Sequence, residues 1–256
     1  GDSLVGVLTE PEQSSCLTGV VIVVGGPQYR AGSHRHFVLL SRALAKAGIP
    51  CLRFDYRGMG DSTGHSRDFL SINDDIRAAV DTVLEQTDNL KRIILWGLCD
   101  GATAAACYAG EDSRITGLVL LNPWVHTDQA EAKVYLKNYY LRRLTSGAFW
   151  RKLVSGEVRV RFALRSLFDM ARRTRARDTL PIHATDNESL PQRLHRCLTS
   201  RSLPTVILLS GKDFVAQEFE SLIANEPRWC QLIKTFQLER LPNADHTFSH
   251  PAEAAR

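Results

Sequence analysis

The feature that most constrains the fold is a series of short apolar runs separated by longer amphipathic segments. Three of these runs are VVIVV (20–24), GLVLLN (117–122) and TVILLS (205–210), and none of them contains a charged residue. Runs of this length and composition are typical of strands that are buried on both faces of a parallel sheet. The sequence therefore predicts a central sheet that is covered on both sides.

The segments between the runs have helical spacing. Apolar residues recur on one face of residues 37–48, a segment that ends in glycine, and on one face of residues 72–84. Further strands are predicted at 49–56 (IPCLRFDY), at 93–96 and at about 235–241. Strands that alternate with helices in this way predict an α/β fold with a doubly wound, mostly parallel sheet.

Residues 128–200 interrupt the alternation. This segment has helical patches at 130–145 and 158–176, and we interpret it as a helical lid inserted into a core formed by residues 1–127 and 201–256. It carries 15 Lys and Arg against seven Asp and Glu, a net charge of +8 that leaves −4 on the remainder. Such a segment is either a solvated helix face or a rim that attracts an anionic substrate, such as a phosphopantetheine, coenzyme A or acidic glycan group. No nucleic-acid-binding motif accompanies the charge, so we expect no nucleic acid partner.

The cysteines and the hydropathy bear on the cellular compartment. Six cysteines occur without a CxxC pair in a chain of 256 residues, which favours reduced thiols over a disulfide framework. No stretch of 18 apolar residues and no signal peptide pattern is present, so we expect no transmembrane segment and a cytoplasmic location.

The stretch WGLCDG (96–101) carries the strongest chemical signal. It lies between an apolar run and a run of small residues, which is the strand, tight turn and helix layout of a nucleophile elbow, with Cys99 in the place of the usual serine. The alternative is a buried structural thiol. A helix N-terminus and a neighbouring imidazolium would both favour the thiolate. We expect the Asp100 side chain to satisfy backbone N–H groups in the first helical turn and its backbone N–H to donate to the oxyanion.

A nucleophile of this kind needs a base, and the base needs a group that orients it. Asp213 follows the run TVILLS and is the candidate orienting acid, because catalytic groups in such sheets lie at the carboxyl ends of strands. His246, in the loop ADHTF, is the candidate base. The competing residues are His250 and His126 for the base and Asp245 for the acid; Asp245 is more typical of a turn.

Five segments in the same order resemble the α/β-hydrolase superfamily: VVGGPQ, FDYRGMGDS, GLCDG, LLSGKD and ADHTFS. More narrowly, GGPQYRAGSHRHF with FDYRGMGDS and WGLCDGA resembles the type 1 hydrolases associated with the bacterial exosortase A system, which carry cysteine at the elbow and tend to lie near exopolysaccharide genes. Dienelactone hydrolase is a distant relative that also uses a Cys–His–Asp set. The resemblance implies the nucleophile–acid–histidine order found here, and a further helix beyond residue 256.

The resemblance also implies a second oxyanion donor in the loop after VVIVV. Many relatives use the residue after the glycine pair, but Pro27 has no N–H, so we assign the donor to the backbone N–H of Gln28. His34, His36 and Trp124 are candidate pocket residues. The segment Arg57–Ser62 is interpreted as fold support.

These patterns predict an acyl hydrolase for esters or thioesters that forms an acyl-cysteine intermediate. An acyltransferase is the alternative, and a non-catalytic binding protein is a third possibility. The substrate is expected to be a small molecule or an acyl carrier. No cofactor is expected, and a metal site is not expected because HExxH and paired CxxC motifs are missing.

Overall fold

A computed structural model of the protein describes residues 1–12, 16–26, 28–126 and 188–249. The chain divides into two compact units, one formed by Gly1–Val125 with Leu190–Arg256 and the other by His126–Ser189. The helical patches that the sequence predicts at 130–145 and 158–176 lie outside the described residues. The elements below belong to the first unit.

The described elements alternate along the chain much as the sequence predicts. The strands are β1 (Val5–Thr9), β2 (Thr18–Val23), β3 (Cys51–Asp55), β4 (Arg92–Leu98), β5 (Ile115–Leu121), β6 (Thr205–Ser210) and β7 (Gln237–Leu241). The α-helices are α1 (His36–Lys46), α2 (Asn73–Gln86), α3 (Asp100–Ala109), α4 (Leu190–Ser200), α5 (Phe214–Asn225) and α6 (Pro227–Leu232). None of the described helices is long and apolar enough to cross a membrane.

The described strands form one sheet of seven in the order β1-β3-β2-β4-β5-β6-β7, and only β1 runs antiparallel to its neighbour. The chain leaves β2 for β3 on one side and later returns to place β4 on the other side. The loop after β2 and the turn after β4 therefore meet at the same edge of the sheet, since Val23 pairs with Gly97. Such a switch point is where ligands bind in open α/β sheets.

Strand β2 shows why the sheet is covered on both sides. Its residues alternate between two apolar clusters: Val21 and Val23 belong to one, and Val20 and Ile22 to the other. The first cluster includes residues of α2, α3, α4 and α5, and the second includes Phe37 of α1. Because the side chains on both faces of β2 pack in apolar clusters, the strand appears in the sequence as an uninterrupted apolar run. The prediction of an α/β fold with a mostly parallel sheet is confirmed.

Two features of the fold differ from the sequence predictions. Helix α4 falls within the predicted lid at 128–200, but it groups with the core, and its Leu194 and Leu198 are buried in the first cluster. The expectation that all cysteines are free is wrong for one pair, because a disulfide joins Cys107 of α3 to Cys197 of α4. Neither feature has a local signal, since each depends on which helices come together. Strand β1 is a further element that the sequence does not predict.

Candidate active site

The turn between β4 and α3 holds Cys99 in an unusual backbone conformation, with φ 61° and ψ −126°. Such a conformation is costly for a residue with a side chain and persists only where the surroundings enforce it. The Cys99 N–H donates to Leu121 O at 2.9 Å, and its carbonyl accepts from Ala102 and Thr103 at 3.1 and 3.3 Å. The backbone N–H of Trp124 donates to the same carbonyl at 3.2 Å. These bonds fix the turn, and the residue that carries the sulfur stays partly exposed.

Two glycines make the turn sterically possible. A Cβ on Gly97 would lie 2.5 Å from Gly101 O, and a Cβ on Gly101 would lie 2.5 Å from Val23 O. Both positions therefore exclude any side chain, because real Cβ atoms do not approach other atoms so closely. The predicted elbow geometry at 96–101 follows from this close packing of backbone on backbone.

Asp213 begins helix α5 directly after β6, and its two carboxylate oxygens have different partners. Oδ1 accepts the backbone N–H of Val215 at 3.1 Å and caps the helix. Oδ2 lies 2.9 Å from Nδ1 of His246. The side chain of Asp213 is almost fully buried, with 5% exposed. Capping fixes the carboxylate, and the carboxylate in turn fixes the imidazole.

The loop that carries His246 is tied to the turn that carries Asp213. Gly211 N–H donates to Leu241 O, and Lys212 N–H donates to Ala244 O, both at 2.9 Å. Asp245 is the turn residue that the sequence suggests, because its carboxylate accepts the N–H groups of Thr247 and Ser249 at 3.1 and 3.0 Å. These bonds hold the imidazole of His246 beside the carboxylate of Asp213.

The electrostatics of His246 link the three side chains. Hydrogen bonding to Asp213, and then to the Cys99 thiol, raises the pKa of His246 to about 10, although partial burial opposes the charged form. The structure therefore brings together Cys99, His246 and Asp213. In this arrangement Nδ1 of the imidazole faces the carboxylate of Asp213 and the Cys99 thiol acts on the same ring, which matches the layout of a base-activated nucleophile.

The sequence and fold can now be compared with known proteins. The model of the alpha/beta hydrolase family matches residues 20–256. The chain belongs to this family. Among solved structures, Est1E from Butyrivibrio proteoclasticus with bound ferulic acid is similar over all of this chain and 92% of its own, with a TM-score of 0.63 and 18% identity. The Pyrococcus furiosus esterase Pf2001 is similar over 97% of this chain and 86% of its own, with a TM-score of 0.59 and 16% identity.

A curated relative shares more identity over a shorter stretch. The polyketide transferase grgF of Penicillium sp is 32% identical over 82 residues, which are 30% of this chain and 28% of that protein. An alpha/beta serine hydrolase homologue from Coxiella burnetii is similar over all of this chain and 92% of its own, with a TM-score of 0.56 and 16% identity. At identities this low, the solved structures share the fold of this α/β hydrolase.

The two proposed oxyanion donors lie on the segments that an α/β hydrolase uses for this purpose. Asp100 is the first residue of α3, and its carboxylate accepts the backbone N–H of Gly101 at 2.9 Å. Burial raises the pKa of this carboxyl above its usual value, and the backbone N–H groups of Gly26, Gly101 and Asp100 oppose that shift. Gln28 is half-buried, and its buried side-chain oxygen has no hydrogen-bond partner among the described residues. Pro27 lies outside the described residues.

The candidate pocket residues differ in their exposure. His34 is exposed, whereas His36 is half-buried and packs edge-to-face on Phe37. Burial lowers the pKa of His36, and the charge of His246 contributes to that effect, so His36 lies on the same side of the molecule as His246. Trp124 is half-buried and contacts the elbow through its backbone, since its carbonyl also accepts from the Thr103 hydroxyl at 2.8 Å.

Of the competing histidines, His126 belongs to the other unit of the chain, and His250 lies outside the described residues. In the described part of the chain, no group of three or more His, Cys, Asp or Glu could hold a metal ion.

Sequence reasoning missed the side chains that hold the two loops in place. Asp55, at the end of β3, is buried, accepts the backbone N–H of Arg30 at 2.7 Å and pairs with its guanidinium. Asp61, assigned to fold support, accepts from the Arg30 guanidinium at 2.8 Å and from the Tyr29 hydroxyl at 2.7 Å. A charged residue at the end of an apolar strand needs a partner. The sequence therefore indicates that Asp55 has a partner, but it does not indicate which residue that is.

A second buried pair of residues holds the turn that carries Asp213. Asn122, directly after β5, accepts the N–H of Ser210 at 2.9 Å and donates to its hydroxyl at 3.0 Å. The carbonyl of Ser210 in turn accepts the N–H of Asp213 at 3.2 Å. Both Asn122 and Ser210 are buried. Their link between β5 and β6 fixes the position at which the turn that carries Asp213 begins.

Proposed function

We propose that the protein is an acyl hydrolase that cleaves esters or thioesters through an acyl-cysteine intermediate on Cys99. The observation that carries the proposal is the 2.9 Å contact between Nδ1 of His246 and the carboxylate of Asp213, together with the action of the Cys99 thiol on the same imidazole. Family membership and the esterase-like fold support it. Esters and thioesters suit the arrangement better than amides because their leaving groups need less protonation.

In the first half of the reaction, His246 takes the thiol proton and the sulfur attacks the acyl carbon. A bond forms between Sγ and the carbon, and the oxygen becomes an anion that accepts from the N–H groups of Asp100 and Gln28. The bond to the leaving group then breaks, and His246 returns the proton to it. Asp213 holds the imidazole in the required tautomer and stabilises its charged form.

In the second half, a water molecule replaces the leaving group. His246 takes a proton from water while the oxygen attacks the thioester carbon, and the bond from the carbon to Sγ breaks. The thiolate regains the proton from His246. The free acid is released and the enzyme returns to its starting state.

Acyl transfer is the second candidate function. The similarity to a protein named as a polyketide transferase favours it, and so does the resemblance of the glycine-turn and elbow segments to exosortase-associated hydrolases. A hydroxyl or amine of a second substrate would then take the place of water in the same step. The net charge of +8 on residues 128–200 would suit an anionic acyl carrier as the donor.

The experiment that tests the proposal is intact-protein mass spectrometry after brief exposure to iodoacetamide and, separately, to p-nitrophenyl acetate. We expect one label on Cys99 in each case, with Cys230 as an internal control because it is an exposed free cysteine. Cys99→Ala should remove the label, and His246→Ala should remove the preference for Cys99. Equal labelling of Cys99 and Cys230 would contradict an activated nucleophile.

The acyl-enzyme also separates the two functions. Its decay is followed in buffer alone and with added sugars or amines. Decay that an acceptor accelerates, with the acyl group recovered on that acceptor, would identify a transferase; decay at one rate in all mixtures would identify a hydrolase.

A further inference from the structure

The carboxylate of Asp100 lies between the elbow and the glycine turn that follows β2. Its Oδ1 accepts the N–H of Gly101 at 2.9 Å on the elbow side. The same oxygen lies directly against Gly25 of the glycine turn, where any Cβ would collide with it, and the N–H of the neighbouring Gly26 stabilises the charged carboxylate. One side chain therefore connects the two segments that supply the proposed oxyanion donors.

This contact decides which donors remain for a substrate. The N–H groups of Gly26, Gly101 and Asp100 itself all stabilise the charged Asp100 carboxylate, and proline at position 27 has no N–H. Gln28 is then the first residue after the glycine pair whose backbone N–H can serve the oxyanion. A small shift of the turn relative to the elbow would move this donor away from the acyl oxygen that Cys99 presents to it.

A carboxylate at this position carries an electrostatic disadvantage. It adds negative charge beside a sulfur and an oxyanion that both become negative during the reaction, and burial already disfavours its charged form. The other acidic groups that act on it are Asp68, which is exposed, and Tyr56 at the end of β3. Hydrogen bonds to a charged acceptor are stronger than those to a neutral one, which compensates for this disadvantage.

We propose that the Asp100 side chain is a positioning residue that clamps the glycine turn to the elbow and so sets the geometry of the oxyanion hole. The inference rests on the proposed function of Cys99 as an acyl-accepting nucleophile. It assigns to Asp100 two separate tasks, one for its backbone N–H and one for its carboxylate.

Two reactions of the same sulfur separate this role from a general effect on the fold. Acylation by p-nitrophenyl acetate forms an oxyanion and needs the hole, whereas alkylation by iodoacetamide forms none. In Asp100→Ala we expect the acylation rate of Cys99 to fall roughly 10- to 100-fold, the cost of misplaced reacting groups, with little change in KM. Alkylation should proceed at the wild-type rate or faster, because a neighbouring negative charge is lost.

The matched variant Asp100→Asn keeps an acceptor of the same size but removes the charge. We expect an acylation rate between those of the wild type and Asp100→Ala. The wild-type rate should fall in acid as the Asp100 carboxylate is protonated, and this step should be missing from the pH profile of Asp100→Asn. Asp68→Asn removes a nearby acid that raises the pKa of Asp100, so it should keep the acid step and move it to lower pH.

The outcomes are distinct. Acylation and alkylation that fall together in both variants would show damage to the elbow and overturn the inference, as would unchanged acylation in both. A wild type that is neither acylated nor selectively alkylated at Cys99 would refute the proposed function itself.

Amide hydrogen exchange at Gly26 tests the clamp without any catalysis. The protection of this amide should be lost in Asp100→Ala, and retained protection there would overturn the clamp. Should Asp100→Ala fail to fold, Asp100→Asn decides by the same readings.

Discussion

At the scale of single residues, the charge state of His246 gives a prediction about stability and pH. The pKa of His246 is raised from 6.5 to about 10 in the folded protein, first by Asp213 and then by Cys99. A raised pKa means that the imidazolium stabilises the folded state fully below about pH 6.5, and that this contribution is lost as the pH rises through about 10. We expect the difference in unfolding free energy between wild type and His246→Gln to be largest at pH 6 and to shrink by pH 10.

Urea denaturation at pH 6, 8 and 10 measures this difference. The side chain of His246 is 33% exposed, so solvent screens the interaction and the direction of the change is the diagnostic feature. A difference that stays constant over this range would show that His246 has no such coupling to its two partners.

Asp213 gives a second prediction at the same scale, because its two oxygens have separable tasks. Asn caps helices as well as Asp does, so Asp213→Asn should keep the cap on α5 and change the melting temperature little. It removes the charge that orients the imidazole, and a loss of this kind lowers kcat roughly 10³- to 10⁴-fold. The measurement is ester hydrolysis together with thermal unfolding.

Asp245→Asn is the matched control for Asp213→Asn. Asp245 neighbours His246 in sequence, but in the described part of the chain its carboxylate bonds within its own turn, to Thr247 and Ser249. Its replacement should leave kcat within a few-fold of wild type. A greater loss of kcat in Asp245→Asn than in Asp213→Asn would reverse the assignment of the acid.

Sequence reasoning was strongest for residues whose role has a local signature. Cys99 lies between glycines at a strand end, and Asp213 follows an apolar strand, so both could be picked out from their immediate neighbours. The contacts of Asp55 with Arg30 and of Asn122 with Ser210 join segments that are 25 and 88 residues apart. No short pattern predicts such pairs, because they depend on the order of the strands in the sheet.

At the scale of elements, the glycine turn after β2 allows a comparison of two adjacent positions. A Cβ on Gly25 would lie 2.7 Å from Gly101 N and would collide with the Asp100 carboxylate, whereas a Cβ on Gly26 would meet nothing within 4 Å. Gly26 has φ 57°, which costs another residue about 1–2 kcal/mol. We therefore expect Gly25→Ala to destabilise the protein by about 3 kcal/mol or more and Gly26→Ala by about 1–2 kcal/mol.

Urea midpoints of the two glycine variants provide the test. Asp100→Ala combined with Gly25→Ala would recover only part of the loss, because the elbow backbone also blocks the Cβ. Equal destabilisation by the two single variants would mean that backbone conformation, and not the close approach to the elbow, dominates this turn.

A strand could be predicted from the sequence where both of its faces are buried. Strands buried on both faces, such as β2 and β6, appear in the sequence as unbroken apolar runs. Strand β1 is only partly buried and pairs antiparallel at the edge, so its pattern VGVLT does not stand out. Helix α4 is amphipathic, but its sequence cannot show that its apolar face packs with α3.

At the scale of the whole molecule, the order of the strands explains why residues from four parts of the chain meet. Loops after β2, β4, β6 and β7 all leave the same edge of the sheet, because these strands are parallel. The switch in direction between β2 and β4 opens that edge for a ligand. The meeting of Cys99, Asp213 and His246 is therefore a consequence of topology as much as of the residues themselves.

The disulfide between Cys107 and Cys197 gives the prediction that concerns the whole fold. It joins the helix that begins beside Cys99 to α4, across a sequence separation of 90 residues, so it restricts an unfolded chain that includes the inserted segment. Closing a loop of this length stabilises a protein by about 4–5 kcal/mol in the chain-entropy description.

We expect four reactive thiols in the denatured, unreduced protein, namely Cys16, Cys51, Cys99 and Cys230, and six after reduction. Reduction, or Cys107→Ser, should lower the unfolding free energy by a few kcal/mol, whereas Cys230→Ser should leave it unchanged and should still respond to reductant. Six thiols before reduction would show that α3 and α4 are held together without a covalent bond, by contacts that include the packing of Leu194 and Leu198 and the hydrogen bond from Arg201 to Ala109 O.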